Sequence, residues 1–288
     1  MSHTEAVKHF YDHNTAAFLR WGKHKQTFNI HQPLWAEGVN TFEEAVSYSN
    51  QLVLREVESL AISTASQNVQ IIDLGCGVGS SALYLADKLQ IPAQIWGITI
   101  SPEQVRLAQE FAAKQASKAR CQFLEGDFLQ WPAEIPKVDL AFAIEAFLHT
   151  ASPERFFEAA AQGLKTGGKL VLIDDFLSPR AERSKLSQKQ HQQLSSFRQG
   201  WMAGSLLSQA GAESIAQKRG FRLLSSRNLS PFMQLGRPRD KVIGLMVALA
   251  GKWMQKSTYF KMMHGGYAKQ QSLKQDLLRY QMLVWERE

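Results

Sequence analysis

The stretch that decides the fold of this chain reads Val69-Gln70-Ile71-Ile72-Asp73-Leu74-Gly75-Cys76-Gly77-Val78-Gly79-Ser80-Ser81. Its first half is mostly apolar and predicts a buried parallel strand. The glycines that follow remove side chains where the backbone must turn and approach a ligand closely. From Ser80 the sequence favours a helix, whose N-terminal N–H groups and positive dipole end can hold a carboxylate or phosphate. The stretch thus predicts a strand, a glycine turn and a helix, a pattern that any tight strand-to-helix turn could share.

An acidic residue before the glycines separates this stretch from a dinucleotide-binding fingerprint. The pattern is Asp-x-Gly-x-Gly-x-Gly over residues 73–79, whereas the NAD fingerprint needs its third glycine at the position of Ser80. This pattern resembles motif I of class I S-adenosylmethionine (SAM) methyltransferases. The resemblance implies SAM as cofactor and S-adenosylhomocysteine (SAH) as product. It also implies cofactor contacts at Asp73, Gly75, Cys76 and Gly77.

Strand-like and helix-like segments alternate after this motif. Further strands are predicted at 95–99, 121–124, 138–144 and 169–173, with helices at 102–118 and 153–164. Such repeats imply a doubly wound, mostly parallel sheet that binds ligands beyond the carboxyl ends of its strands. The resemblance implies a Rossmann-like α/β fold of seven strands with an inserted helical cap. We expect an N-terminal helical arm (1–65), a SAM-binding core (66–176), and a cap insertion with closing strands of the same domain (177–288).

Segments after the second and third strands supply further predicted cofactor contacts. Residues 97–104, Gly-Ile-Thr-Ile-Ser-Pro-Glu-Gln, resemble the second motif of a subgroup that includes cyclopropane fatty acid synthases, tocopherol methyltransferases and natural-product methyltransferases. Many class I enzymes hold the ribose with an acid, but this resemblance implies Thr99, Ile100 and Gln104. Residues 125–128, Glu-Gly-Asp-Phe, imply adenine contacts, although Gly-Asp is also an ordinary turn. The remaining implied contacts are Gly126, Asp127, Phe128, Ile144 and, by cation–π attraction to the sulfonium, Tyr11 of the arm.

Residues after the fourth and fifth strands are the candidates for catalysis. Glu145 and His149 match a Glu-Ser-x-x-His pattern of related methyltransferases, with Ala146 in place of the serine. A histidine with a near-neutral pKa can remove a proton from a hydroxyl, an amine or an activated carbon. His149 could equally pack or cap a helix. Asp175 matches an acid that orients the base or the nucleophile in related enzymes, and either it or Asp174 could simply cap the next segment.

Basic residues concentrate between residues 179 and 242, and the whole chain of 288 residues has a net charge of +7. This stretch could face nucleic acid, an anionic membrane, an acidic carrier protein or an anionic substrate, or it could be a solvated surface. The two cysteines predict unbridged thiols, and we find neither a secretory signal nor a membrane span, so we expect a cytoplasmic protein. No Cys/His spacing indicates zinc, and no metal is expected.

Together these features predict methyl transfer from SAM to a small, largely apolar acceptor of natural product biosynthesis, either aromatic, polyketide or isoprenoid-like. The Met- and aromatic-rich segment 201–267 would cover an apolar pocket, or it would simply form the core of the cap. One alternative is an RNA methyltransferase that uses the basic stretch 179–242. Another is a SAM-binding protein without catalysis. We expect a small-molecule partner and no nucleic acid, and we leave open peripheral contact with a membrane or an acidic carrier.

Overall fold

The sheet forms the centre of the computed structural model, which describes residues 3–21, 31–64, 68–114, 120–249 and 258–288. Among these residues, seven strands pair in the order β3-β2-β1-β4-β5-β7-β6. The first five strands run parallel, and β7 lies antiparallel between β5 and β6. The predicted Rossmann-like, mostly parallel seven-stranded sheet is therefore confirmed. The strands are β1 (Val69–Leu74), β2 (Ala93–Thr99), β3 (Arg120–Glu125), β4 (Val138–Ile144), β5 (Leu164–Leu177), β6 (Phe221–Asn228) and β7 (Leu278–Arg287).

Helices cover the sheet, and alternate residues of its strands enter two separate apolar clusters. On β5, for example, Val171 and Ile173 join one cluster, whereas Leu170 and Leu172 join the other. This alternation is the pattern of a strand that is buried on both faces. No helix in the described part of the chain is long and apolar enough to cross a membrane. The helices are α1 (His3–Trp21), α2 (Phe42–Thr64), α3 (Ser80–Lys88), α4 (Pro102–Ala112), α5 (Pro153–Gly163), α6 (Pro179–Arg183), α7 (Gln188–Gly200), α8 (Gln209–Gln217), α9 (Pro238–Leu249) and α10 (Thr258–Lys274).

Some element boundaries differ from the sequence prediction. β5 begins at Leu164 and continues through the Gly167-Gly168 pair, at which Gly167 has φ +76° and the register with β4 shifts. These glycines kink the strand instead of preceding it, because a positive φ bends the backbone without ending the pairing. α4 ends at Ala112, short of the predicted Lys118, and residues 115–118 lie outside the described residues.

α7 and α10 cross at close range in the cap. A Cβ on Gly200 would lie 2.8 Å from the Cα of Gly265, and one on Gly265 would lie 2.9 Å from the Cα of Gly200. Larger residues would push the two helices apart, since real Cβ atoms do not approach so closely. The crossing brings Trp201 and Lys269 into the wall of one cavity.

Candidate active site

A cavity of about 1110 Å³ lies at the carboxyl ends of β1, β2, β4 and β5. It gathers all of the predicted site residues except Asp73 and Gly126, from segments far apart in sequence. This is the position where open parallel sheets bind their ligands. The predicted residues in its wall are Tyr11, Gly75, Cys76, Gly77, Thr99, Ile100, Gln104, Asp127, Phe128, Ile144, Glu145, His149 and Asp175.

The glycine loop after β1 is open on its cavity side. Gly77 has φ +55°, and a Cβ there would meet no described atom within 4 Å. A Cβ on Gly75 would instead lie 2.6 Å from the Cβ of Ala146. Asp73 is buried and does not line the cavity: the backbone N–H of Ala82 in α3 donates to its carboxylate, and burial raises its pKa. In this structure Asp73 therefore ties the loop to α3.

The predicted ribose pair is assembled at the start of α4. Thr99 Oγ1 donates to Gln104 Oε1 over 2.6 Å, and both side chains are buried in the cavity wall. Ser101 caps α4 by accepting from the N–H of Gln104 (3.2 Å), and its hydroxyl donates to Asp12 of α1 (2.5 Å). This turn thus caps α4 through Ser101 and also places Thr99 and Gln104 in the cavity wall.

Only part of the segment after β3 lines the cavity. Asp127 and Phe128 line the cavity, and the Asp127 carboxylate also accepts from the N–H of Leu129 (3.0 Å). The ordinary turn is therefore present as well. Gly126 lies outside the wall, where its N–H donates to the carbonyl of Thr99 (2.9 Å).

His149 is hydrogen-bonded on both ring nitrogens. Tyr11 Oη lies 2.7 Å from Nε2, and the carbonyl oxygen of Met202 lies 3.4 Å from Nδ1. Because a carbonyl can only accept, Nδ1 carries the proton and Nε2 accepts from Tyr11. Burial lowers the pKa of His149 to about 4, so the ring is neutral at pH 7. Nε2 can take a proton from a substrate only through the Tyr11 hydroxyl or after Tyr11 moves.

Glu145 has a strained backbone, and both of its carboxylate oxygens have partners. Its φ of +54° is rare for a residue with a side chain, and such strain concentrates at functional sites. Its Oε1 accepts from the N–H of Gln32 (3.0 Å) and the hydroxyl of Tyr280 (2.9 Å), and His31 lies 3.8 Å from Oε2. Burial alone would raise its pKa, but His31, Lys269 and the Gln32 N–H together lower it to about 2. Glu145 therefore stays ionised and holds His31 and Gln32 of the N-terminal arm.

The two adjacent aspartates at the end of β5 have different partners. Asp174 accepts from the N–H of Leu148 (2.8 Å) and of Asp175 (2.9 Å), so it fixes the 3₁₀ turn Phe147–His149. Burial and the charge of Asp175 raise the pKa of Asp174 to about 8. Asp175 pairs with Lys269 of α10 at 2.6 Å. Sequence reasoning missed Lys269, since no motif surrounds it and only the crossing of α10 over α7 brings it here.

Similarity to known proteins agrees with this geometry. Residues 71–168 match the family described as a methyltransferase domain. The chain is 28% identical over 178 residues to a probable tocopherol O-methyltransferase of Oryza sativa subsp. japonica (59% of the chain, 46% of the relative). It is 30% identical over 140 residues to the erythromycin 3''-O-methyltransferase of Saccharopolyspora erythraea (49% and 44%). The cyclopropane synthase MmaA2 of Mycobacterium tuberculosis superposes with a TM-score of 0.74 at 19% identity, covering 99% of both chains.

The sequence matches are confined to part of each protein, and the chain spans less than half the length of the two curated relatives just named. The matched segment contains the glycine motif, the ribose pair and the residues after β3 and β4. Residues 71–168 are therefore similar to a methyltransferase domain, as the glycine motif predicts, and the sheet has the Rossmann-like fold of the solved cyclopropane synthase.

Proposed function

We propose that this protein transfers a methyl group from SAM to a small, largely apolar metabolite. The observation that carries the proposal is the single cavity in which the open glycine loop, the Thr99–Gln104 pair and Asp127–Phe128 meet. The cavity is also large enough for an acceptor, and much of its wall in the cap is apolar. These wall residues include Met233, Met246, Met262, Met263 and Tyr267.

SAM fits the chemistry of this wall. The N-cap residue of α3 is Gly79, which has no side chain to cap the helix, and Asp73 takes the N–H of Ala82. The other N–H groups of the first turn can receive the carboxylate of the cofactor. Thr99 and Gln104 would hold the ribose hydroxyls, and Asp127 and Phe128 the adenine. The sulfonium would lie near Tyr11, Ile144 and the ionised Glu145.

When bound, SAM supplies an electrophilic methyl group. The protein must align the acceptor, exclude water and receive a proton. Residues of the cap and of α1 line the cavity and would exclude water from the bound substrates. Asp175 and the Tyr11–His149 pair are the groups that can hold or receive the proton of the acceptor. Glu145 has too low a pKa for that role, so we propose it as a positioning residue.

The named relatives support a small-molecule acceptor, since their names specify tocopherol and erythromycin. They favour this function over an RNA methyltransferase. We also propose that the acceptor belongs to natural product biosynthesis. Cys76 and Cys121 are both free thiols, which supports the predicted cytoplasmic location.

We propose that the further partner is an anionic membrane surface rather than an acidic carrier. Val242, Leu245 and Leu249 share one face of α9 and are 57%, 61% and 76% exposed. The cationic residues Arg239 and Lys241 are exposed beside them. Exposed apolar side chains beside exposed cations can insert into the interface of an anionic bilayer.

Calorimetry with SAM and SAH, followed by transfer from methyl-labelled SAM to a metabolite extract, tests the function. We expect binding of both compounds and label in an organic-soluble product. Label in RNA would favour the first alternative. Binding without transfer to any extract would favour a non-catalytic protein, and failure to bind SAM or SAH would contradict the proposal.

A further inference from the structure

We infer that Asp175 and Lys269 bind the molecule that receives the methyl group. Asp175 Oδ1 accepts a hydrogen bond from an O–H or N–H group of that molecule. Lys269 is the positioning residue that keeps Asp175 ionised. The inference rests on the proposed function and deepens it. It assigns the acceptor to one chemical class, a neutral hydroxyl or amine on an apolar body.

The pair is buried in the cavity wall. Lys269 Nζ lies 2.6 Å from Asp175 Oδ2, and the two side chains are 14% and 3% exposed. The Lys269 ammonium also lies 5.4 Å from the centre of the Tyr280 ring, a cation–π distance. Burying two charges is costly, and a pair of this kind gives little net stability over apolar residues. Its presence in the wall of a ligand cavity therefore points to a role in binding.

One oxygen of the pair is left for a ligand. Asp175 Oδ1 is buried and has no hydrogen-bond partner among the described residues, although its side chain lines the cavity. A buried carboxylate oxygen without a donor is an unusual and unfavourable state. Trp201 Nε1 and Gln270 Oε1, also in residues of the wall, are buried without a partner in the same described part of the chain. A ligand with polar groups on this side would satisfy these atoms.

The charges around Asp175 select against an anionic group at this end. Four groups face it: Lys269 from α10, Glu145 after β4, Asp174 on β5 and Tyr280, its register partner on β7. Even when Asp174 is protonated, the carboxylates of Glu145 and Asp175 outnumber the single ammonium of Lys269.

Apart from Lys269, the cationic side chains of the wall lie at a distance from Asp175, on the side of α9. Arg237 and Arg239 line the cavity from the side of α9, and the Arg239 side chain is 78% exposed. The O–H or N–H group of the methyl-accepting molecule thus points to Asp175, and any anionic group on that molecule points to the arginines at the mouth of the cavity.

Binding of three probes to the SAH-loaded protein tests the inference: 2-naphthol, its donor-free ether 2-methoxynaphthalene, and 2-naphthoate. We expect the wild type to bind 2-naphthol with about tenfold higher affinity than 2-methoxynaphthalene or 2-naphthoate, the effect of a hydrogen bond to a charged group. The double variant Asp175→Leu/Lys269→Met removes both charges together, so no unpaired charge is buried, and it should lose the preference. Equal binding of 2-naphthol and 2-methoxynaphthalene, no binding of any probe, or a preference that survives in the double variant would overturn the inference.

The pH dependence separates the proposed role of Lys269 from a merely structural one. The preference needs ionised Asp175, so it should fade as pH falls through the pKa of that carboxyl group. Lys269→Met removes the ammonium and raises this pKa, which should move the loss to higher pH, whereas Lys269→Arg should keep the wild-type profile. An unmoved profile in Lys269→Met would contradict the role. SAH affinity, measured in the same titrations, tests the proposed function separately, because SAH can bind normally while the probes are not distinguished.

Discussion

Gly77 and Gly167 share a backbone conformation but differ in surroundings, which allows a matched test at the residue scale. Both have positive φ, +55° and +76°, and a Cβ on either would meet no described atom within 4 Å. Only Gly77 lines the cavity. We expect valine at either position to lower the free energy of unfolding by about 1–3 kcal/mol, because a β-branched residue is strained at positive φ.

SAH affinity distinguishes the two variants. Gly77→Val should weaken SAH binding by at least about tenfold, or about 1.4 kcal/mol, since its side chain projects into the proposed cofactor space. Gly167→Val should bind SAH as the wild type does. Calorimetry on both variants, with thermal melting to confirm folding, checks this. Equal SAH affinity in the two variants would remove the glycine loop from the proposed site.

His149 gives a prediction with a definite pH sign. Burial lowers its pKa to about 4 in the folded protein, below the ordinary value near 6.5. Between these values the unfolded chain binds a proton that the folded chain does not, so stability is lost as pH falls from about 6.5 to about 4. The stability advantage of wild type over His149→Gln should shrink by about 2–3 kcal/mol across this window. Urea unfolding at a series of pH values measures it, and a constant advantage would show that the ring is not buried neutral.

At the scale of elements, what the sequence could predict depends on how local the cause is. β1 and β4 are apolar runs in the sheet centre, and the serines that cap α4 and α5 lie directly before a proline, so local signals define these elements. The predicted contacts fall at the ends of such strands, where topology alone brings them together. Lys269 could not be predicted, because its place depends on the close crossing at Gly200 and Gly265, which is a tertiary property. Asp73, another predicted cofactor contact, lies outside the cavity wall, and its carboxylate accepts from the N–H of Ala82 behind the loop.

Helix α1 is attached to the rest of the site by the buried side chains of Val7 and Phe10 and by several polar contacts. His3 Nε2 lies 2.8 Å from the carbonyl oxygen of His149, Lys8 pairs with Glu125 at 2.7 Å, and Asp12 accepts from Ser101. The exposed Lys8–Glu125 pair contributes little stability, whereas the burial of Val7 and Phe10 favours the closed position of α1. A ligand beneath Val7 and Tyr11, which line the cavity, would add contacts to the closed arm.

We therefore expect SAH to slow amide hydrogen exchange in residues 3–12 more than in α5, which serves as the internal control. Asp12→Ala should reduce this protection and accelerate SAH dissociation, because it removes the contact with the cap of α4. Exchange measured by mass spectrometry with and without SAH checks both effects. Equal protection of α1 and α5, or no change in α1, would mean that the arm does not respond to the cofactor.

For the whole molecule, the distribution of charge and apolar surface suggests how an apolar acceptor reaches the cavity. The carboxylates of Glu145 and Asp175 lie at its buried end, whereas Arg237 and Arg239 lie on the side of α9. Val242 and Met246 belong both to the cavity wall and to the exposed surface of α9. An apolar molecule leaving an anionic bilayer would thus meet apolar and cationic groups before it reaches the carboxylates.

Vesicle binding tests this route. We expect the protein to sediment with vesicles that contain an anionic phospholipid more than with neutral ones, and less so as salt rises, because salt screens the exposed cations. Leu245→Glu or Leu249→Glu should weaken binding by about tenfold or more, since each replaces an inserted apolar side chain with a charge that the anionic surface repels. Ile62→Glu is the matched control, because Ile62 of α2 is 82% exposed but lies outside both α9 and the cavity wall. If the Ile62 variant lost binding as severely as the α9 variants, or if neutral and anionic vesicles bound equally, α9 would not be the surface that meets the membrane.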